Sequence, residues 1–441
     1  MEEAKTSENM YPGLQRVMER ARRNPQERQF ALAYLIDVDA LRRSYHRLRN
    51  KAAVGVDGVT KEEYGQNLEA NLQDLHVRLK TMKYRHQPIR RVHIPKDKNR
   101  TRPIGISATE DKIVQDALRE ILEAIYEQDF LDCSHGFRPG RRPHDALKAL
   151  NQLVRKGEAN VILEADIVSF FDSIDRPMLK KMLQERIADK SFMRLVAKCL
   201  QVGVLDGETF DRPDKGTAQG SVLSPILGNV YLHYALDAWF EEQVKPRLKG
   251  KATLIRYADD LLLTFELPED AELVRTELGK RLCRFKLSLH PDKTRLIGFR
   301  RPPWSQTGGK GPDTFDFLGF TVYWRRNRQG RGWHVSWKTR KARLRRAINV
   351  AYEWCRRHRH LPVPVQHQAL RRRIQGHFNY FGVNDNQKSL AVVIYHVNRA
   401  WYKWLNRRSQ RSRLNWQRFQ DLLRDFPLPC PKVYVDLWGA P

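Results

Sequence analysis

An acidic tetrapeptide between two apolar runs constrains the fold of this chain more than any other feature. The tetrapeptide is Tyr257-Ala258-Asp259-Asp260, with residues 253–256 before it and residues 261–265 after it. Short apolar runs on either side of a turn predict two strands joined by a hairpin. Two adjacent carboxylates at the tip repel each other unless cations bind there. The pattern therefore indicates a cation site, although a solvated hairpin turn explains the tetrapeptide alone equally well.

A second strand-like run also ends on an acid. Residues 161–166 are mostly apolar and close on Asp166. Joining a nucleotide to a 3′-hydroxyl requires carboxylates from different strands to meet at two Mg²⁺ ions about 3.5–4 Å apart. Mg²⁺ prefers such oxygen ligands. We therefore expect Asp166, Asp259 and Asp260 to share one site.

The positive charge of the chain is concentrated near its C-terminus. The 441 residues carry a formal net charge of +29, and residues 321–441 hold 26 Lys and Arg against 5 Asp and Glu. This imbalance predicts a polyanionic partner, most commonly nucleic acid, rather than a merely soluble basic protein. Tryptophans and tyrosines interleave with the arginines, and aromatic rings can stack on bases. The RNA-binding candidates are Arg343, Arg345, Arg346, Arg371, Arg372 and Arg373.

Local patterns predict several elements. Residues 1–44 have a charged helical pattern with apolar positions at Leu32, Tyr34 and Leu35. Residues 89–95 and 102–106 are strand-like, and residues 110–126 are helical. Ser224 is expected to cap a helix that has proline in its first turn. The change to arginine-faced helices predicts a domain boundary near residues 325–337.

Cysteine usage and hydropathy indicate the compartment. The five cysteines are scattered, without Cys-x-x-Cys or Cys/His ligand spacing. This distribution predicts reduced thiols and argues against a zinc finger or a zinc-containing nuclease. The sequence shows no signal peptide and no apolar run of transmembrane length. We expect a cytoplasmic, nucleoid-associated bacterial protein without a membrane partner.

An ordered series of motifs carries a family resemblance. Residues 164–175, 216–225, 257–260, 287–294 and 315–320 resemble, in this order, the palm motifs of reverse transcriptases, most closely those encoded by bacterial group II introns. Further similar segments are residues 55–58, 94–96, 102–103 and 136–140 upstream, and residues 376–382 and 404–410 in the thumb, or maturase, region. The resemblance covers roughly residues 45–435.

The resemblance implies an α+β fold with the right-hand architecture of polymerases. Residues 1–44 would form an N-terminal helical extension and residues 45–155 the fingers. Residues 156–325 would form the palm with the catalytic site, and residues 335–441 a helical basic thumb or maturase domain that binds RNA.

The resemblance also implies roles around the acids. Asp166, Asp259 and Asp260 match the catalytic aspartates that hold two Mg²⁺ ions, and the backbone carbonyl of Ile167 would complete the metal shell. Phe171 matches an aromatic under the sugar of the incoming nucleotide, where it would clash with a 2′-hydroxyl and so select dNTPs. An ordinary core aromatic is the alternative.

Further matches would bind the nucleotide. Lys96 and Arg102 match residues that hold the triphosphate by charge and forked hydrogen bonds, the alternative being a solvated basic hairpin. Gln219 and Gly220 match a loop lining nucleotide and template, where glycine permits close backbone approach. Lys293 matches a lysine that could protonate pyrophosphate, although a surface lysine fits equally well. Two further expectations are helix capping by Asp172 and Asp175, and a primer-end or core-strand role for residues 317–320.

The implied function is that of a mobile-element enzyme. It would be an RNA-directed DNA polymerase that binds its structured group II intron RNA, assists splicing and copies the RNA into DNA with dNTPs and a DNA primer. A free-standing cellular enzyme of repair or phage defence is the alternative. A splicing cofactor with a dead polymerase is disfavoured because all three aspartates are intact. No nuclease-like Cys/His spacing follows Arg413, so we expect the primer to come from nicked or replicating DNA.

Overall fold

The described chain is a mixture of helices and antiparallel-rich sheets, as the sequence predicted. The computed structural model describes residues 11–95, 101–211, 214–217, 219–303, 313–327, 332–409 and 414–439. Lys96 lies outside these ranges. In the described helices, no segment is both long and apolar enough to cross a membrane. All five cysteines are free thiols.

The N-terminal part is mainly helical and carries one long hairpin. Its helices are α1 (Pro12–Arg23), α2 (Val38–Arg47), α3 (Lys61–Gly65), α4 (Leu68–Lys80), α5 (Thr109–Tyr126) and α6 (Pro143–Lys156). The hairpin is formed by β1 (Ile89–Pro95) and β2 (Thr101–Ile106). Both strands and the long helix α5 agree with the sequence patterns. Apolar residues recur along α5 at helical spacing, so most of its length is buried in the main core.

The central part alternates strands and helices around one sheet. Its strands are β3 (Val161–Asp166), β4 (Val204–Asp206), β5 (Thr209–Asp211), β6 (Ala252–Tyr257), β7 (Asp260–Phe265) and β8 (Arg295–Gly298). Its helices are α7 (Phe170–Ser173), α8 (Arg176–Arg186), α9 (Lys190–Leu200), α10 (Ser224–Leu232) and α11 (Pro268–Arg284). The order of the main sheet is β6-β7-β3-β8, all antiparallel. The two interior strands, β7 and β3, therefore carry Asp260 and Asp166.

The β1–β2 hairpin belongs to a second sheet. Its order is β2-β1-β4-β5, and β1 pairs in parallel with β4. A small apolar cluster of Ile89, Val202 and Val204 lies beneath it. The hairpin is thereby joined to the chain segment that follows α9.

The C-terminal part combines a small sheet with a helical bundle. The sheet contains β9 (Phe315–Phe317), β10 (Phe320–Arg326) and β11 (Trp333–Thr339), and the bundle contains α12 (Lys341–Arg357), α13 (Val363–Phe381), α14 (Gln387–Asn406) and α15 (Trp416–Asp425). β10 and β11 pair along their whole length. β11 ends at Thr339, and the first bundle helix begins at Lys341.

Aromatic residues fill the cores of this part. Trp337 and Trp401 are completely buried, and the Trp401 indole Nε1 donates a hydrogen bond to Gln366 at 3.0 Å. These two rings pack inside the protein, so the expectation that the interleaved tryptophans face bases is wrong for them. Trp416 and Trp438 are exposed.

Of the apolar positions in the N-terminal pattern, Leu32 and Leu35 are buried, whereas Tyr34 is 65% exposed. Two local predictions are wrong. Ser224 is the first residue of α10 rather than its N-cap. Asp172 lies inside α7 and caps nothing, while Asp175 caps α8 as predicted.

Candidate active site

The acidic turn is a two-residue hairpin loop. Tyr257 and Asp260 are register partners in β6 and β7, so that Ala258 and Asp259 form the loop. Ala258 has a left-handed φ of 57°. Two-residue loops favour positive φ because it matches the twist of the flanking strands. The loop conformation therefore follows from the tight connection of the two strands, although alanine has no intrinsic preference for it.

The structure brings the three predicted aspartates together. Asp166 is the direct register partner of Asp260 in the β3–β7 pair. Side chains directly opposite in antiparallel strands lie about 4.5–5.5 Å apart at Cβ. Asp259 is adjacent to Asp260 in the loop, and its charge acts on the Asp260 carboxyl. The sheet register thus produces a cluster of three carboxylates from two strand ends and one turn.

The electrostatics of Asp260 show this clustering. Asp260 is accessible from the cleft, but desolvation by the protein packed around it, together with the charges of Asp259 and Asp166, raises its pKa to about 6. Arg343 and Lys293 act in the opposite direction. A carboxyl held at such a pKa is stabilised in its charged form by any cation that binds.

Two basic side chains, Lys293 and Arg343, partly balance the acids. The Lys293 ammonium is ion-paired with Asp166. Within the described part of the chain, no three His, Cys, Asp or Glu side chains are placed so that they could hold a metal ion as they stand. The ammonium lies against Asp166 Oδ2, so this oxygen would become available to a metal ion only after Lys293 moves away. The donor set itself, carboxylates only, fits Mg²⁺.

The Ile167 carbonyl takes no part in the hydrogen bonds of the bridge between Ile167 and Leu289. Asp166 O accepts from His290 N at 2.7 Å, and Val168 N donates to Ser288 O at 2.9 Å. These bonds flank the isolated antiparallel bridge between Ile167 and Leu289. Since flanking residues make the bonds in this arrangement, the Ile167 carbonyl points away from Leu289. The Ile167 carbonyl oxygen is therefore not hydrogen-bonded to Leu289, and a metal ligand at this position requires such an oxygen.

A cleft of about 840 Å³ lies beside the acids. The turn of residues 318–319 forms part of its wall, with Leu318 at a left-handed φ of 47°. The Tyr380 hydroxyl donates to Leu318 O at 2.9 Å and so fastens the turn to α13. Phe317 and Phe320 are buried in the core. Of residues 317–320, then, the central turn borders the cleft most directly, and the two flanking rings support it.

The predicted nucleotide loop packs on the β1–β2 hairpin. Gly105 N donates to Gln219 O at 2.5 Å. Gly220 has a φ of 108°, and a Cβ at this position would lie 2.5 Å from Gly105 O. Glycine is therefore required at residue 220 by both conformation and space. Arg102 is exposed on the same strand, β2.

Phe171 is half-buried beside this loop. Its ring lies 5.1 Å from that of Phe170, which is buried as expected. Its backbone O accepts from Thr217 N at 2.8 Å. The ring packs partly on the main core and partly faces solvent.

Sequence reasoning missed a buried glutamine that holds the loop. The Gln115 side-chain Oε1 accepts from Ser221 Oγ and from Val222 N, both at 3.0 Å. Its Nε2 donates to Ser107 Oγ at 3.1 Å. Gln115 is completely buried in α5. Its position inside an apolar helical face was the available signal, because a buried amide must find partners.

The predicted RNA-binding arginines occupy different surroundings. Arg343 lines the cleft and acts on Asp260, while Arg345 and Arg346 are exposed on α12. Arg371 and Arg372 line a groove along one face of α13, together with Gln368, Gln375, Gly376 and Asn379. The Arg373 guanidinium lies 4.7 Å from the centre of the Trp354 ring and is engaged within the bundle.

Comparison with known proteins gives the family. The model of the family "Reverse transcriptase (RNA-dependent DNA polymerase)" matches residues 94–322. The chain is 33% identical over 308 residues to Protein YkfC of Escherichia coli, covering 63% of this chain and 77% of YkfC. It is 36% identical over 201 residues to Group II intron-encoded protein LtrA of Lactococcus lactis, covering 45% of this chain and 33% of LtrA.

A solved structure shares the fold. Telomerase from Candida albicans, solved with a fragment of telomeric RNA, superimposes with a TM-score of 0.51 at 14% identity, covering 83% of this chain and 62% of that one. The family match spans more than half of the chain and contains Asp166, Asp259 and Asp260. On these grounds the chain belongs to the reverse transcriptase family of RNA-dependent DNA polymerases.

Proposed function

We propose that this reverse transcriptase is of the group II intron type, and that it binds a structured intron RNA, assists its splicing and copies it into DNA. The observation that carries the chemistry is the register of β3 and β7, which sets Asp166 opposite Asp260 beside a wide cleft. The similarity to the intron-encoded protein LtrA supports the intron RNA as template. A basic helical bundle borders the same cleft through α12 and α13.

The catalytic roles follow from the carboxylate cluster. Asp166, Asp259 and Asp260 would hold two Mg²⁺ ions, with the Ile167 carbonyl as a further ligand. Bound Mg²⁺ would lower the pKa of the primer 3′-hydroxyl and neutralise the phosphates. Lys293, released from Asp166, would carry its ammonium to the triphosphate and could donate a proton to the leaving pyrophosphate.

The nucleotide would lie between the acids and the β1–β2 hairpin. Arg102, with Lys96, would hold the triphosphate by charge-assisted hydrogen bonds. The backbone of Gln219 and Gly220 would line the base pair, held by Gly105 at Gln219 and by Gln115 at the two residues that follow. Phe171 would support the sugar ring and exclude a 2′-hydroxyl.

RNA would follow the basic surface of the bundle. The groove on α13 presents guanidinium groups of Arg371 and Arg372 beside amide side chains, which is a suitable set for phosphates and sugar hydroxyls. Arg345 and Arg346 extend this surface on α12, and Arg373 adds charge behind it. Arg343 would meet the nucleic acid at the cleft itself. Such a role places the protein with its RNA and target DNA at the bacterial nucleoid.

Identifying the RNA that copurifies with the protein tests the intron assignment. We expect one enriched, structured RNA that encodes the protein, and faster splicing of that RNA when the protein is added. A mixed RNA population without any splicing effect would contradict the intron role and favour a cellular enzyme. RNA-templated primer extension tests the chemistry separately, so the two parts of the proposal can fail independently.

Replacing Phe171 with valine should relax sugar selection. If the ring supports the sugar, the smaller side chain makes room for a 2′-hydroxyl, and rNTP incorporation relative to dNTP should rise about tenfold, equivalent to ~1.4 kcal/mol. The measurement is the ratio of kcat/KM values for one rNTP and its dNTP. An unchanged ratio in a variant that remains folded would assign Phe171 to the core alone.

Replacing Asp260 with asparagine should stabilise the metal-free protein above pH 6. The folded-state pKa of about 6 is above the ordinary value of about 3.9, so the favourable contribution of the protonated carboxyl is present below about pH 4 and lost as pH rises through 6. Asparagine cannot ionise. The melting temperature of Asp260→Asn should exceed that of the wild type at pH 7.5 without divalent ions, and the gap should close at pH 4.5.

The matched control is Asp292→Asn, another carboxylate that lines the cleft. Its melting temperatures at the two pH values are the reference against which the pH dependence of Asp260→Asn is judged. A gap for Asp260→Asn that does not depend on pH would contradict the repulsion among the three carboxylates.

A further inference from the structure

A buried arginine lies directly behind the catalytic turn. Arg256, the second-last residue of β6, has a completely buried side chain. Its guanidinium donates to both carboxylate oxygens of Asp237, through Nε at 2.8 Å and through one terminal nitrogen at 2.6 Å. The same terminal nitrogen donates to Ser134 Oγ at 2.6 Å. The other donates to Asn229 Oδ1 at 2.9 Å and to Ala258 O at 3.1 Å. A guanidinium has five N–H groups, and here each has an acceptor.

These bonds join the turn to two other segments. Ser134 belongs to the loop after α5, and backbone bonds from Arg256 N to Cys133 O at 2.7 Å and from His135 N to Arg256 O at 2.8 Å tie that loop to β6. Asn229 in α10 donates through Nδ2 to Gly136 O at 2.8 Å. A Cβ on Gly136 would lie 2.2 Å from Ala258 N. The loop is therefore packed directly against the backbone of the turn.

The turn needs such support because of Ala258. Its φ of 57° is left-handed, a conformation that is unfavourable for any residue with a Cβ atom. A strained backbone persists only where surrounding structure holds it. Arg256 bonds the Ala258 carbonyl, and Gly136 closes the space behind the amide of the same residue. The positions of Asp259 and Asp260, which follow directly, depend on this restraint.

Asp237 supports the turn indirectly, because it holds the Arg256 guanidinium in place. It is completely buried and lies in a π-helical segment, His233–Asp237, that continues α10. Short π-helical segments occur frequently at functional sites. A buried ion pair contributes little net stability compared with an apolar pair. Stability alone therefore gives no reason for an arginine and an aspartate at this place.

We propose that Arg256, oriented by Asp237, is a positioning residue for catalysis, which sets the Asp259 and Asp260 carboxylates against Asp166. The inference rests on the proposed polymerase function for its kinetic test, but it also predicts metal affinity. Lysine keeps the charge but offers one nitrogen in place of the planar fork, so it cannot reach Asp237, Asn229 and Ala258 together. The acids then lose their alignment while the chain keeps its fold.

The test compares Arg256→Lys with Arg186→Lys. Arg186 is a matched control because it is also buried and donates to Asp129 at 2.8 Å, but its other acceptors are the backbone carbonyls of Ala21, Asn24, Pro25 and Glu27. Measured are the melting temperature, the kcat of RNA-templated primer extension well below that temperature, and the Mg²⁺ affinity from the Mg²⁺-dependent rise in melting temperature.

We expect both variants to lower the melting temperature, and only Arg256→Lys to change catalysis. Its kcat should fall about tenfold to a hundredfold, and its Mg²⁺ affinity should fall about tenfold. Equal kcat and Mg²⁺ affinity in the two variants would overturn the inference. If the wild type extends no primer, the proposed function fails, and Mg²⁺ affinity alone then decides the positioning role.

A milder variant keeps the test decisive if Arg256→Lys does not fold. Ser134→Ala removes one acceptor of the guanidinium and leaves the ion pair with Asp237 intact. It should cause a smaller fall in the same two quantities, kcat and Mg²⁺ affinity. A folded Ser134→Ala protein with wild-type values of both would overturn the inference.

Discussion

Replacing Asp259 or Asp260 with alanine is expected to abolish DNA synthesis while RNA affinity stays within about twofold of the wild type. The carboxylates serve to hold Mg²⁺, and without them the 3′-hydroxyl and the triphosphate have no common clamp. RNA is expected to bind elsewhere, on the arginine-rich bundle, where positive charge is spread over many side chains. Relief of repulsion around Asp260, whose pKa is raised to about 6, should also increase the melting temperature slightly at neutral pH.

The measurement is paired on one preparation of each variant. Primer extension and the RNA dissociation constant are determined together, with melting temperature as a check of folding. Asp292→Ala is the control for loss of a carboxylate from the same cleft. Retained synthesis in either variant would remove the acidic turn from the active site. Lost RNA binding at an unchanged melting temperature would show that RNA binds mainly beside the acidic turn of the β6-β7-β3-β8 sheet.

RNA affinity is expected to fall about 10³-fold between 50 and 200 mM salt. Each neutralised phosphate adds a slope of roughly −0.7 to −0.9 in log K against log salt, and six or more contacts give a loss of this size. Residues 321–441 carry 26 Lys and Arg against 5 Asp and Glu, which is enough charge for several such contacts. A slope close to zero would contradict an electrostatic RNA surface.

Two double variants locate the contacts. Arg371→Gln with Arg372→Gln removes charge from the groove on α13 and should reduce the magnitude of the slope by about 1.4–1.8. Arg356→Gln with Arg424→Gln is the matched control, because these arginines are already ion-paired with Glu353 and Asp421 at 3.0 and 2.9 Å. The control should leave the slope nearly unchanged. Equal slopes in the two double variants would exclude the α13 groove as a phosphate-binding surface.

The parts of the site that lie close together in sequence were predictable. Apolar runs on both sides of residues 257–260 give the β6–β7 hairpin, and the run that ends on Asp166 gives β3. Short apolar runs bounded by turn signals form buried strands, and the resemblance implied that they belong to one palm. In the structure β3 pairs with β7 so that Asp166 lies opposite Asp260, which agrees with the expectation that these acids share one site.

The parts that depend on distant contacts were not predictable from one sequence. Gln115 supports a loop more than a hundred residues away, and Arg256 joins segments around Ser134 and Asn229. Arg343 looks like any other exposed arginine in sequence, but the fold sets it at the acidic cluster. In each case the partners named here are distant in sequence, and only the assembled fold brings them to the side chain.

The domain boundary shows how far residue composition alone can predict structure. Composition changes near residues 325–337, where arginine-faced helices begin to replace alternating strands and helices. The structure instead pairs β10, which ends at Arg326, with β11, which begins at Trp333. Residue composition indicates which surface faces solvent or a partner. The hydrogen-bonded pairing of strands determines where a structural unit ends.

RNA-templated extension of an annealed DNA primer by the purified protein tests the central claim most directly. With Mg²⁺ and dNTPs, we predict a DNA product complementary to the RNA template, which requires the metal, the template and intact Asp166, Asp259 and Asp260. A folded, RNA-binding wild-type protein that yields no templated DNA would contradict the account, as would extension that persists when Asp166 is replaced by asparagine.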